Sequence, residues 1–223
     1  MKDSEINKSG FVGESVMIRL RPYKPSDAKS IVSWCKDEKT FLQWGGDHFG
    51  TFPISEDTMN HKYLHENGDC IEEDNFYPFT AFDDEGIAGH VIIRYLHGDN
   101  KILRFGWVIV DDTKRGHKYG QNMLRLGLKY AFEIMQADVV TIGVFENNIS
   151  AYKCYLSAGF HRSKDQPNVT ENIHGESWKI IELELSKKEY MSWGQILVLC
   201  TRLKNIKMYY NKIHIFAYRS AIS

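Results

Sequence analysis

Leu103-Arg-Phe-Gly-Trp-Val-Ile-Val110, Asp111-Asp-Thr-Lys114 and Arg115-Gly-His-Lys-Tyr-Gly120 follow one another as a strand, a turn and a glycine-bearing loop that opens a long helix. By alternation, Leu103, Phe105, Trp107 and Ile109 are expected on one face of the strand, and Arg104, Gly106, Val108 and Val110 on the other. Both sets are largely apolar, which predicts a central strand covered on both sides. Past Gly120, Met123, Leu124, Gly127, Leu128, Ala131, Ile134 and Met135 recur at gaps of three and four. That spacing presents one stripe to the sheet and leaves Arg125, Lys129 and Glu133 facing water. Backbone N–H groups at such a loop, followed by the positive end of a helix dipole, bind a diphosphate without many cationic side chains. The stretch therefore predicts a site for a nucleotide-like cofactor.

A second pattern lies downstream, in Val139-Val-Thr-Ile-Gly-Val-Phe145 and Glu146-Asn-Asn-Ile-Ser-Ala-Tyr-Lys-Cys-Tyr-Leu-Ser-Ala-Gly-Phe160. It reads as a strand, an Asn-capped helix, and Gly159 where a left-handed C-cap belongs. Together the two stretches resemble the GNAT family of N-acetyltransferases. Its acetyl-CoA loop reads Gln/Arg-x-x-Gly-x-Gly/Ala, and its next helix Asn-x-x-Ala-x-x-x-Tyr-x-x-x-Gly-Phe. Arg115 and Gly120 fit the loop, whereas Lys118 stands where glycine is usual. Asn148, Ala151, Tyr155, Gly159 and Phe160 fill every place of the helix pattern. Phe105-Gly-Trp107 and Lys129-Tyr-Ala-Phe132 bring the resemblance closest to the ribosomal-protein N-terminal acetyltransferase branch.

The resemblance implies an α/β (α+β) GNAT fold over residues 16–186: a mixed, mostly antiparallel twisted sheet of about six or seven strands, splayed between the fourth and fifth, with about four flanking helices. The remaining segments agree with it. Met17 to Arg21 reads as a strand. Pro25-Ser-Asp offers a cap for a helix through Ile31, Val32 and Trp34, and Ser55 to Glu66 reads as a second helix. Phe76 to Phe82 and Ile87 to Tyr95 read as strands joined by a turn at Asp83 to Gly86, Asn100 to Val110 as the next, and Gly175 to Leu185 as the last. Residues 1–15 are expected to be an N-terminal polar segment ahead of the domain. In residues 187–223, Ile196, Leu199, Leu203, Ile206, Tyr210 and Ile213 form a helical stripe with Arg202, Lys204, Lys207 and Lys212 opposite. This extension is expected to dock on the domain or on a second subunit, as a homodimer; the alternatives are a basic surface-binding helix and a segment without a role.

The chain has 223 residues, 43% hydrophobic and 26% charged, with a net charge of −1, enough to bury a full core. Balanced charge argues against extended nucleic-acid binding. No apolar run approaches the roughly 20 residues of a membrane span, and Met1 to Gly10 does not read as a signal peptide, so a cytoplasmic location is expected. Cys35, Cys70, Cys154 and Cys200 form no Cys-x-x-Cys pair, and His61 and His65 lack a third ligand, so neither a disulfide framework nor a metal is expected.

What the resemblance implies about chemistry is direct transfer of acetyl from acetyl-CoA to a primary amine, on a protein N-terminus or a small molecule. Arg115, Gly116, His117, Lys118, Tyr119 and Gly120 would cradle the pyrophosphate, and backbone N–H near Ile109 or Val110 would meet the thioester carbonyl. Asn148 would reach the pantetheine amide or an ordered water, with simple helix capping as the alternative. Tyr155 would protonate the departing thiolate, with core packing as its alternative. Trp44, in Trp44-Gly-Gly-Asp-His48 between the first two helices, and Trp107 are acceptor-side candidates. Many relatives place a Glu base where Arg104 stands; Asp111, Asp112, Glu146, His90 and His97 are left as candidate relays through water, with water alone as the alternative for an acceptor amine of low pKa, and the base is unassigned. A non-catalytic acyl-CoA-binding module is the alternative function.

Overall fold

The computed structural model describes residues 17–96, 98–164 and 169–193. Eight strands form one sheet in the order β1-β2-β3-β4-β5-β8-β6, with β7 paired to the far part of β8. They are β1 (Arg19–Pro22), β2 (Tyr77–Phe82), β3 (Ile87–Leu96), β4 (Asp99–Val110), β5 (Val139–Phe145), β6 (His161–Arg162), β7 (Val169–Ile173) and β8 (Glu176–Ser186). The β4–β5 pair is parallel and the others are antiparallel. The helices are α1 (Ala28–Ser33), α2 (Glu38–Gly45), α3 (Glu56–Leu64), α4 (Tyr119–Lys129), α5 (Ile149–Ala158) and α6 over 187–193.

The sheet separates two cores. Leu103, Phe105, Val91 and Ile93 face Met123, Leu124 and Leu128 of α4 and Tyr155 of α5. Ile92 and Ile109 face α1, α2 and α3 through Ile31, Phe41, Leu42, Met59 and Tyr63. Two-sided burial explains why β4 is apolar in both registers.

The expected alternation along β4 holds only to Phe105. Ile92 pairs with Gly106 and His90 with Ile109, so one extra residue enters β4 between them, and Trp107 takes φ +44°. This β-bulge inverts the faces: beyond it Val108 and Val110 pack toward α4, while Trp107 and Ile109 join the α1–α3 core. The stripe on α4 also departs from expectation near its end. A π-helical turn at Tyr130–Ile134 shifts the phase, burying Phe132 and leaving Ile134 67% exposed.

Three elements were not foreseen. α2 is capped by Asp37, whose side chain accepts from the Thr40 N–H at 2.7 Å, and it ends at Gly46 with φ +56°. The Trp44 expected in a loop therefore sits in a helix. β7 is mostly polar and joins β8 through His174 and Gly175, both at positive φ, while β6 is two residues long. The first turns of the C-terminal extension, α6, dock on the domain. Tyr190 packs on Phe132 with ring centroids 4.9 Å apart and donates to Glu133 at 2.6 Å, and Trp193 covers Gly159. The rest of the extension, 194–223, lies outside the described residues, as do residues 1–16.

Candidate active site

The parallel pairing of β4 with β5 runs from Ile102 and Val139 only to Phe105 and Ile142. Beyond that point β4 stays with β3 as far as Val110 and β5 with β8 as far as Phe145. The strands therefore diverge, as the resemblance implied, and leave unpaired backbone groups along the wedge. Two cavities enter it. One, of about 530 Å³, runs from Val108, Ile109 and Val110 over the loop before α4 to Asn148, Ala151 and Tyr155. The other, of about 150 Å³, opens on the α1–α3 side between Trp107, His48, Arg94, Arg104 and Gly143. Gln43, Trp44, Val108, Asn148 and Tyr155 line both. The cavities thus meet at the wedge.

The larger cavity has the chemistry of a polyanion site. Lys114, Arg115, Lys118 and Lys153 line it, and among the described residues no carboxylate does. Gly116 at φ +81° and Lys118 at φ +65° alternate with right-handed or extended residues and bring the chain into the first turn of α4, whose leading N–H groups lack helical acceptors. Gly120 is needed for space: a Cβ there would lie 2.9 Å from the Cys154 Sγ of α5. Asp83, in the β2–β3 turn, fixes the loop by accepting from Lys114 at 2.5 Å and from Tyr119 at 2.7 Å. Burial opposes ionisation of Asp83, but these hydrogen bonds outweigh it and bring the carboxyl down to about 2. Of the cradle residues expected, Arg115, Gly116, Lys118 and Gly120 line the cavity together with Ile109 and Val110. His117 does not, and Tyr119 turns to Asp83.

Asn148 caps α5 by accepting from the Ala151 N–H at 3.2 Å, and it lines both cavities as well, so capping and a ligand-facing position coexist. Gln43 of α2 donates to the Asn147 carbonyl and side chain at 3.2 and 3.0 Å, tying α2 across the mouth of the wedge. Tyr155 is buried at the junction. Burial, with the neighbouring Cys154, pushes its phenol well above the ordinary value, so it is held in the protonated form.

At the smaller cavity, Trp44 donates its indole N–H to the Trp107 carbonyl at 2.8 Å, holding the bulge. Its ring stacks on Phe49 at 4.8 Å, and Trp107 stacks on Tyr63 at 5.6 Å. Both tryptophans line the smaller cavity, but their main contacts build its wall. His48 also lines it, with Nδ1 2.9 Å from Asp69 Oδ2, an arrangement that leaves Nε2 free of Asp69. Asp69, itself at φ +64°, is held from behind by Lys62 at 2.8 Å. The sequence placed His48 in a candidate substrate loop but offered no sign of its partner, which lies 21 residues on, beyond α3.

The suggested proton relays fare differently. His90 is fully buried, bonded to the Tyr63 hydroxyl at 2.7 Å, and depressed to about 3 by its burial. It lines neither cavity. Asp111 bonds the N–H and hydroxyl of Thr113, and Asp112 faces Lys36 at 3.7 Å. Glu146 lies 3.5 Å from Lys179, and His97 lies outside the described residues. Arg104, at the place where many relatives carry Glu, makes two hydrogen bonds to buried Glu182 across β5, at 2.8 and 2.9 Å.

A splayed sheet with a cationic, amide-lined cleft on one side of the wedge and an aromatic cleft on the other defines an acyltransferase architecture. Residues 18–161 match the acetyltransferase (GNAT) domain, and the chain belongs to that family. It is 33% identical over 89 residues to acetyltransferase PseH of Campylobacter jejuni, a match that covers 40% of this chain and 54%, about half, of that enzyme. Its fold is similar to that of spermidine N-acetyltransferase from Vibrio cholerae, crystallised with CoA and spermine: TM-score 0.63, 18% identity, 78% of this chain and 98% of that one. Ribosomal-protein-S5-alanine acetyltransferase from Vibrio fischeri superposes with TM-score 0.60 at 14% identity, over 76% and 93%. Among the described residues no group of three or more His, Cys, Asp or Glu could hold a metal, and no helix is long and apolar enough to cross a membrane.

Proposed function

We propose that this protein transfers acetyl from acetyl-CoA directly to a primary amine in a ternary complex. The observation that carries this reading is the meeting of the two clefts at Tyr155, where the β4–β5 wedge leaves backbone groups unpaired. The size and cationic lining of the larger cleft suit a CoA pyrophosphate on the α4 N-terminus. The exposed edge of β4 near Ile109 and Val110 suits the pantetheine and thioester carbonyl.

In that complex the amine nitrogen bonds the acetyl carbon, the C–S bond breaks, and the thiolate takes its proton from the Tyr155 hydroxyl. The neutral amine attacks, and the proton its nitrogen sheds as the C–N bond forms goes to His48, kept in one tautomer by Asp69, directly or through water. The burial that raises the Tyr155 phenol suits an acid that must stay protonated until sulfur departs. Scattered thiols and the absence of a long apolar run in the sequence support a cytoplasmic location.

Calorimetric titration of acetyl-CoA, with CoA and ATP as comparison ligands, tests the site, and an amine screen tests turnover. Tyr155→Phe should lower kcat by about 100-fold, the contribution typical of a general acid, while leaving acetyl-CoA affinity nearly intact. Equal turnover by both proteins would remove Tyr155 from the mechanism. Tight CoA binding with no amine acetylated would leave a non-catalytic acyl-CoA module.

A further inference from the structure

The smaller cleft carries two guanidinium groups side by side. Arg94 and Arg104 are register partners across β3 and β4, and both line the cavity. Like charges directly opposite on an antiparallel pair destabilise a sheet unless something neutralises them. Arg104 has its counter-ion, the buried Glu182, in a two-point contact. Among the described residues Arg94 has no carboxylate within ion-pair distance. The nearby Asp69 is already engaged by Lys62 and His48. Among the described residues the one carboxylate lining the cleft is Glu171, on β7 at its far wall. Among the described residues the cavity is therefore polar in the electrical sense, with a guanidinium lacking a counter-ion on the β3–β4 wall and a carboxylate opposite.

Resting on the acetyl-transfer reading of this site, we infer that the acceptor is an amine that also bears an anionic group, a phosphate or a carboxylate, seated on Arg94 beside Arg104. The planar guanidinium of Arg94 suits two-point binding of either oxyanion. The amine end would lie at Tyr155 and Val108. Arg104 precedes that level by three to four residues, so amine and anion should be roughly 10 Å apart at about 3.3 Å per strand residue. A polycation is the wrong complement to this wall.

The full chain, with acetyl-CoA, should be assayed against four acceptors of matched length: aminohexyl phosphate, aminohexanoate, aminohexanol and diaminohexane. The inference expects kcat/KM for one or both anionic acceptors to exceed that for aminohexanol by roughly tenfold or more, the worth of a hydrogen-bonded charge, with diaminohexane poorest. Comparing the two anionic acceptors separates phosphate from carboxylate. Arg94→Gln should raise KM for the preferred anionic acceptor about tenfold more than for aminohexanol, and Arg94→Lys should recover part of the difference. Diaminohexane as the best acceptor, or equal losses on all four in Arg94→Gln, would overturn the anion site while leaving acetyl transfer standing. Calorimetry with aminohexyl phosphate supplies the converse. Binding that weakens about tenfold in Arg94→Gln, with no acceptor acetylated, would support the anion site and count against transfer. Failure of the wild-type protein to bind or acetylate either anionic acceptor would overturn the inference.

Discussion

Lys118→Gly should stabilise the protein and weaken its hold on CoA at the same time. Lys118 is the N-cap of α4 at φ +65° and ψ 10°, with no side-chain cap bond, at a place where the resembled loop carries glycine. A residue with a Cβ loses roughly 1–2 kcal/mol in the left-handed region, which glycine does not. Glycine gives back roughly 0.5–1 kcal/mol through the greater freedom of its unfolded chain. The net gain is about 0.5–1 kcal/mol, a Tm rise of about 1–4 °C for a chain of this length. Lys118 also lines the larger cleft with Arg115 and Lys153. Removing one solvated cation near a diphosphate costs about 1 kcal/mol, or roughly fivefold in Kd. Scanning calorimetry reads the first effect and titration calorimetry the second. Lys118→Ala is the control: it removes the ammonium and keeps the left-handed Cβ, so affinity should fall without a gain in Tm. A lower Tm in Lys118→Gly would refute the strain argument. Tighter CoA binding would mean that close backbone approach, not the ammonium, governs the loop.

The buried His90 should make the protein acid-sensitive. Its imidazole titrates near 6.5 in the unfolded chain and at about 3 in the folded one, so the unfolded state binds more protons between those values and stability rises with pH. Acidification from pH 7 to 4.5 should cost about 2–3 kcal/mol by denaturant unfolding, and His90→Asn should lose most of that slope. Glu182→Gln should destabilise by about 2–4 kcal/mol, because it leaves the Arg104 guanidinium half-buried with a neutral partner. Arg104→Met combined with Glu182→Met should recover most of that loss, and a double mutant as unstable as the single one would show that the pair's charges are not the cause.

The elements that were legible in the sequence are those whose signal is local. The run from Leu103 to Gly120 carried its strand, loop and helix in residue pattern and glycine placement, and Asn148 to Phe160 carried a cap, a helix and a left-handed stop. The cleft residues Ile109, Val110, Arg115, Lys118, Gly120, Asn148 and Tyr155 came with them. What escaped depended on tertiary context. An inserted residue at Trp107 leaves no mark in an apolar strand, because either register reads as buried. The π turn at Tyr130 exchanged Ile134 for Phe132 on the core face, although the spacing favoured Ile134. The short α2 ended in two glycines and read as loop, and this hid the helical origin of Trp44 and Gln43. His48 with Asp69, and Arg94 with Arg104, are partnerships of residues distant in sequence, so their charges could be counted but not paired.

Three of the seven non-glycine residues at positive φ among the described residues belong to the two clefts or their support. Trp107, Lys118 and Asp69 are non-glycine residues at positive φ, and each is tied to a cleft by what it lines or by the side chain it holds. For a bulky residue such as tryptophan this conformation costs on the order of 1–3 kcal/mol and persists only when its surroundings over-determine it. Here they do: Phe49, Tyr63 and Phe76 surround the indole at 4.7 to 5.7 Å, and Trp44 bonds the carbonyl of the same residue. The return on that strain is geometric. A regular β4 would keep Trp107 and Ile109 on the α4 face, whereas the bulge turns Trp107 toward the smaller cleft and leaves Val108 at the junction of the two clefts. The aromatic cluster under α2 and α3 is therefore best understood as the brace that holds this bend, and the bend as the device that brings the two clefts together at Tyr155.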